Sequence, residues 1–101
     1  MCKKTNSSTN GTSFQGVTFK ASVNDLIKVL GEPYTDNTGE DKVNFEWEME
    51  TDEGNVFTIY DWKEYRVIDV NERIEWHIGS FSRSISSDAQ YEVMRELGNI
   101  N

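Results

Sequence analysis

Hydrophobic and polar residues alternate along two stretches of this chain, and two others carry apolar residues at helical spacing. In "KVNFEWEME", Val43, Phe45, Trp47 and Met49 point one way while Asn44, Glu46, Glu48 and Glu50 point the other, the period-two signature of a half-buried strand. "TDEG" follows as a turn in which Gly54 suits a positive φ, and "NVFTIYDW" returns to complete an antiparallel hairpin. The return strand is apolar on both sides, with Phe57 and Ile59 toward one layer and Val56, Tyr60 and Trp62 toward another, which predicts a central place in a sheet. "IEWHIGSFS" alternates again, setting Ile74, Trp76 and Ile78 against Glu75 and His77. Upstream, "FQGVTFK" is a short β-prone run carrying Phe14, Val17 and Phe19, with Gly16 as a bulge.

"SVNDLIKVLGEP" predicts a helix: Ser22 caps it, Asp25 completes a capping-box spacing, Val23, Leu26, Ile27 and Leu30 form its apolar face, and Gly31 with Pro33 stops it. "SSDAQYEVMRELGN" predicts a second, capped by Ser86, Ser87 or Asp88, with Tyr91, Met94 and Leu97 inward beside Val93 and an end at Gly98. Between the last two strands, Val67, Ile68 and Val70 are expected to pack down from a long connection. The order β-α-β-β-β-α predicts an α+β fold, an antiparallel sheet of about four strands with two helices packed on one face. Residues 1–13 hold almost nothing to bury and are expected to form a disordered N-terminal arm, leaving 14–101 as a single domain.

Charge narrows the partners. Ten Lys and Arg against eighteen Asp and Glu leave a net charge of −8 in 101 residues, which repels phosphate backbones and anionic membrane surfaces. Direct nucleic-acid binding and membrane association are therefore not expected, whereas a basic protein or a small ligand in a local basic pocket fits. The lone Cys2 and lone His77 cannot build a disulfide or a zinc cage within one chain, and neither a metal nor a cofactor is expected. The opening residues contain no apolar segment suited to secretion, so the cytoplasm is the expected compartment. A domain of this size has a thin core, and a homo-oligomer would supplement it.

Three regions carry candidate chemistry. In "FTIYDWKEYR", Tyr60, Trp62, Lys63, Tyr65 and Arg66 combine rings that could stack a planar ligand with cations that could neutralise it, while the same residues also suit a core strand with a solvated rim. "HIGSFSRS" adds His77, Ser80 and Arg83, a histidine, a hydroxyl and a guanidinium of the kind that hold phosphate, or else an ordinary helix-capping loop. With Ser80 or Ser82 as nucleophile and Asp61 or Glu75 as orienting acid, His77 could alternatively serve a small hydrolase, although no nucleophile elbow is present. The acidic run from Asp36 to Glu53 could imitate a nucleic-acid backbone and block a basic host protein, or only keep the chain soluble.

"TDEGNVFTIYDWKEYR" followed by "IEWHIGSFS" and preceded by "SVNDLIKVLGEP" resembles a group of small, mostly uncharacterised bacteriophage-encoded proteins, over roughly residues 17–97. In that pattern an acidic-Gly turn leads into a Tyr-Asp-Trp-Lys strand and a Trp-His-Ile-Gly-Gly segment follows; Ser80 stands here where the pattern has its second glycine. The resemblance implies a phage accessory protein, a class that often counters host defence by blocking a defence protein or sequestering a nucleotide messenger. The expectation carried forward is a non-enzymatic protein that sequesters a small nucleotide-like anion through Tyr60, Trp62, Lys63, Tyr65, Arg66, His77, Ser80 and Arg83. The alternatives are an acidic inhibitor of a basic host protein and a small hydrolase.

Overall fold

The computed structural model describes residues 2–100. Its strands are β1 (Lys3–Lys4), β2 (Ser13–Ala21), β3 (Tyr34–Thr35), β4 (Phe45–Glu50), β5 (Val56–Tyr60) and β6 (Ile74–Ser80), with helices α1 (Val23–Leu30) and α2 (Arg83–Asn99). The fold is α+β as expected, with two helices, but the antiparallel sheet has six strands rather than about four, ordered β1-β4-β5-β6-β2 with β3 also on β4. The two additional strands are two-residue pieces with exposed side chains, too short to show a period. Both lie along the outer edge of β4, β1 opposite Met49 and Glu50 and β3 opposite Phe45 and Glu46.

Alternation divides the sheet into two faces. Phe45, Trp47 and Met49, Phe57 and Ile59, Trp76 and Ile78, and Val17 and Phe19 are buried with the helices. Trp47 and Trp76 meet edge to face at 5.4 Å, and each indole N–H is satisfied by a carbonyl, of Gly31 and Ala21 respectively. β5 is central, as its apolar character on both sides predicts.

The capping of α1 follows the sequence: the Ser22 hydroxyl accepts from the Asp25 N–H, and Gly31 ends the helix at φ 86°. Helix α2 does not begin where expected. Ser82 caps it, four residues or more upstream of the predicted caps, and the buried line is Ser86, Ala89, Val93 and Leu97. Tyr91 and Met94, predicted inward, are exposed. The four buried residues recur every three or four positions and form the stripe that faces the sheet, which leaves Tyr91 and Met94 on the outer side of the helix. In the connection after β5 only Ile68 packs down, while Val67 and Val70 stay exposed.

The N-terminal arm is also corrected. Cys2 is buried in the core, Lys3 pairs with Glu50 at 3.4 Å, and the Thr5 hydroxyl donates to the Glu50 carboxylate at 2.8 Å. Lys4 donates to the Glu32 carbonyl beside the end of α1. Because β1 lies at one edge of the sheet and β2 at the other, residues 5–12 must cross it, and they do so over the face opposite the helices. Polar composition signals little apolar burial; it does not prevent hydroxyls from capping carboxylates on a sheet. At the far edge, the Gln15 and Thr18 carbonyls of β2 are taken by Arg83 and Gln90 of α2, which blunts that edge against pairing.

Candidate functional site

On the face opposite the helices, strand pairing sets aromatic rings side by side. Tyr60 and His77 are direct cross-strand partners, and their rings stack at 5.7 Å with an interplanar angle of 24°. A register shift in β2, where Gly16 takes φ 84°, brings Phe14 to 4.7 Å from the His77 ring on its other side. Tyr60 meets Trp62 edge-on at 6.1 Å. Trp62 is partly exposed, and the ammonium groups of Lys63 and Lys42 lie 5.5 and 5.8 Å from its ring centre. His77 Nδ1 is buried without a hydrogen-bond partner among the described residues.

A cavity of about 420 Å³ opens beside this row. Its floor is formed by Glu46, Glu48, Thr58, Tyr60 and Gly79, its roof by residues 9–13 of the crossing arm, and Trp62 and Val43 stand at its rim. Gly79 lets the strands fit closely there: a Cβ would lie 2.6 Å from Thr58 Oγ1, and one of the two would have to shift. The three glutamates of β4 are treated unequally. Glu50 is held by Thr5 and Lys3 and titrates below its ordinary range, chiefly through the Thr5 hydrogen bond, with burial opposing. Glu48 accepts from Thr9 at 3.4 Å. The Glu46 carboxylate has neither a hydrogen bond nor an ion pair among the described residues. Burial, and then Glu48, push its carboxyl up, while burial and then Glu46 push the Tyr60 hydroxyl up.

The loop that carries Trp62 is irregular but firmly braced. Buried Asp61 accepts from the Phe45 N–H at 2.8 Å, the Asn44 N–H at 2.9 Å and the Asn44 side-chain amide at 3.2 Å. The Lys63 N–H donates to the Lys42 carbonyl at 2.7 Å, which brings the two lysines together. Asn37 bonds both the N–H and the carbonyl of Ile68. Gly39 lets the loops touch, since a Cβ there would lie 2.7 Å from the Arg66 backbone. Within this frame Lys63 and Tyr65 sit at φ 54° and 50°, left-handed conformations that non-glycine residues seldom adopt.

Of the residues expected from sequence, Tyr60, Trp62, Lys63 and His77 are brought together. The other four are not. Tyr65 is exposed and does not line the cavity. Arg66 forms a bidentate pair with Glu72 at 2.8 and 2.9 Å and reaches Glu64 at 3.2 Å. Ser80 lies on the helix side, where its hydroxyl meets Ser86 and donates to the Ser82 carbonyl. Arg83 donates to the Gln15 carbonyl at 3.0 Å. The hydrolase constellation is likewise dispersed, since Ser80 faces away from His77, Ser82 caps α2 and Asp61 braces the loop. Sequence reasoning missed Lys42, Phe14 and Glu46 as members; Lys42 was visible as the only base in the acidic run, but its approach to Trp62 depends on the Lys63 backbone bond.

No family model, curated protein or solved structure matches this chain. Among the described residues no helix is long and apolar enough to cross a membrane, and no group of three or more His, Cys, Asp or Glu side chains could hold a metal ion.

Proposed function

We propose that the chain is a non-enzymatic binding protein that takes a small, planar, nucleotide-like anion into the cavity beneath the N-terminal arm. The observation that carries this reading is Trp62: a partly exposed indole at a cavity rim, edge-on to Tyr60, with two ammonium groups within 6 Å of its ring. A flat ligand would stack on Trp62 while Lys42 and Lys63 swing from the ring to its anionic group. The arm supplies hydroxyl and amide groups from Thr9, Asn10 and Thr12 on the opposite wall. In the phage setting implied by the sequence resemblance, tight capture of such a ligand would withhold it from a host defence system.

The acidic-inhibitor reading is less well supported, because the β4 glutamates are half-buried and two of them are bonded to the arm instead of being presented to a partner. Isothermal titration of the full chain with purine and pyrimidine mononucleotides tests the proposal. Trp62→Ala, or Lys42→Gln with Lys63→Gln, is expected to weaken binding at least about tenfold. Arg66→Gln and Arg83→Gln are expected to leave it within about twofold, their guanidiniums being engaged elsewhere. Absence of nucleotide binding, or binding indifferent to Trp62, overturns the reading.

A further inference from the structure

We propose that Glu46 reads a pair of adjacent N–H donors on this planar ligand, the pattern offered by a guanine-type edge, and so sets which base the cavity accepts. The inference rests on the nucleotide-like reading above and adds its selectivity. Among the described residues, Glu46 is the one glutamate of the three on β4 whose carboxylate has no hydroxyl or ammonium partner, although it is half-buried and lines the cavity. Its cross-strand neighbours on this face are tyrosines, Tyr34 in β3 and Tyr60 in β5. A half-buried carboxylate between aromatic neighbours is costly until donors reach it.

The donor's chemistry follows from the surroundings. A carboxylate accepts two parallel N–H bonds from a planar group lying in its own plane. A metal ion would need more carboxylates than are gathered here. A ligand that is only a cation would meet Lys42 and Lys63 at Trp62, whereas a neutral base edge with an anion at its other end satisfies the carboxylate and the lysines together. Guanine places an N–H and an NH₂ side by side; hypoxanthine keeps the N–H and loses the NH₂, and adenine has the NH₂ without that N–H.

Titration of the full chain with GMP, IMP and AMP tests this, alongside Glu46→Gln. Among the described residues the Glu46 side chain has no partner whose loss would unfold the protein, and an unchanged circular dichroism spectrum and melting temperature confirm that the variant is intact. GMP is expected to bind at least about tenfold more tightly than IMP or AMP, and Glu46→Gln to reduce that ratio to near one. Equal affinities for the three nucleotides, each still lost in Trp62→Ala, overturn the selectivity while leaving the pocket in place. A preference for GMP that survives in Glu46→Gln also overturns it, by assigning the edge to another group. No binding of any of the three removes both readings.

Discussion

Replacing Asp61 by Ala removes the acceptor for three donors at once: two backbone N–H groups and the Asn44 side-chain amide. Asp61 and Asn44 are both almost completely buried, so water is poorly placed to substitute. Each buried donor left without a partner costs about 1–3 kcal/mol. Allowing for partial relaxation, the sum is about 3–5 kcal/mol. Against the roughly 5–15 kcal/mol typical of a domain this size, that is a large share of the total. Asp61→Asn should fall between parent and Ala, because one oxygen still serves Phe45 while the new amide faces the amide of Asn44. Urea denaturation followed by tryptophan fluorescence measures the change, with the slope checked for constancy so that the midpoint reports stability. Asp61→Ala within about 1 kcal/mol of the parent would refute the assignment of Asp61 as the brace of the Trp62 loop.

Two further outcomes are expected. Tyr65→Gly removes a side chain from a left-handed backbone position without breaking any contact described above, so stability should hold or rise by up to about 1 kcal/mol in the same assay; a clear loss would show that the Tyr65 ring packs in solution. The arm should loosen in acid: the pKa of Glu50 is lower in the fold than its ordinary 4.5, so its stabilising contribution is present above that value and is lost as pH falls through the lowered one. Glu46 and Glu92 are shifted upward and act with the opposite sign, so the readout must be local. Cys2, buried next to β1 with its thiol pushed up to about 11, provides one. Its rate with dithiodipyridine, taken relative to that of a free thiol at the same pH, should rise as pH falls below Glu50's ordinary 4.5 and through its lowered value, and Glu50→Gln should show the higher relative rate throughout. A pH-independent difference of zero between the two proteins would detach Glu50 from the arm's attachment.

The core of the fold was legible because it rests on period: β4, β6 and α1 are strongly patterned, and Gly31 and Gly54 mark their ends as expected. What was not legible depends on polar contacts between distant segments. Nothing in "KKTNSSTN" announces that Thr5 and Thr9 will seek the carboxylates of Glu50 and Glu48. The site was half visible for the same reason. Tyr60 and His77 lie on strands whose alternation places them together, so the rings could be found. Arg66 and Arg83 looked available because their partners, Glu72 and the Gln15 carbonyl, are settled only by tertiary structure. Ser80 had the right chemistry but the wrong parity, falling in step with Trp76 and Ile78 toward the helices.

The wrapping of the arm has a consequence for the order in which the protein can assemble. Residues 2–5 find their partners on β4, and β2 finds its partner only in β6, some sixty residues later in the chain. β2 must therefore wait, without its sheet partner, until the last strand has been made. Pairings so far apart in sequence close slowly, in the millisecond-to-second range typical of sheets dominated by distant contacts. The threonines, serines and asparagines of residues 5–12 are safe to leave in water until β4 is made, whereas Phe14, Val17 and Phe19 of β2 are the apolar groups exposed through the longer wait.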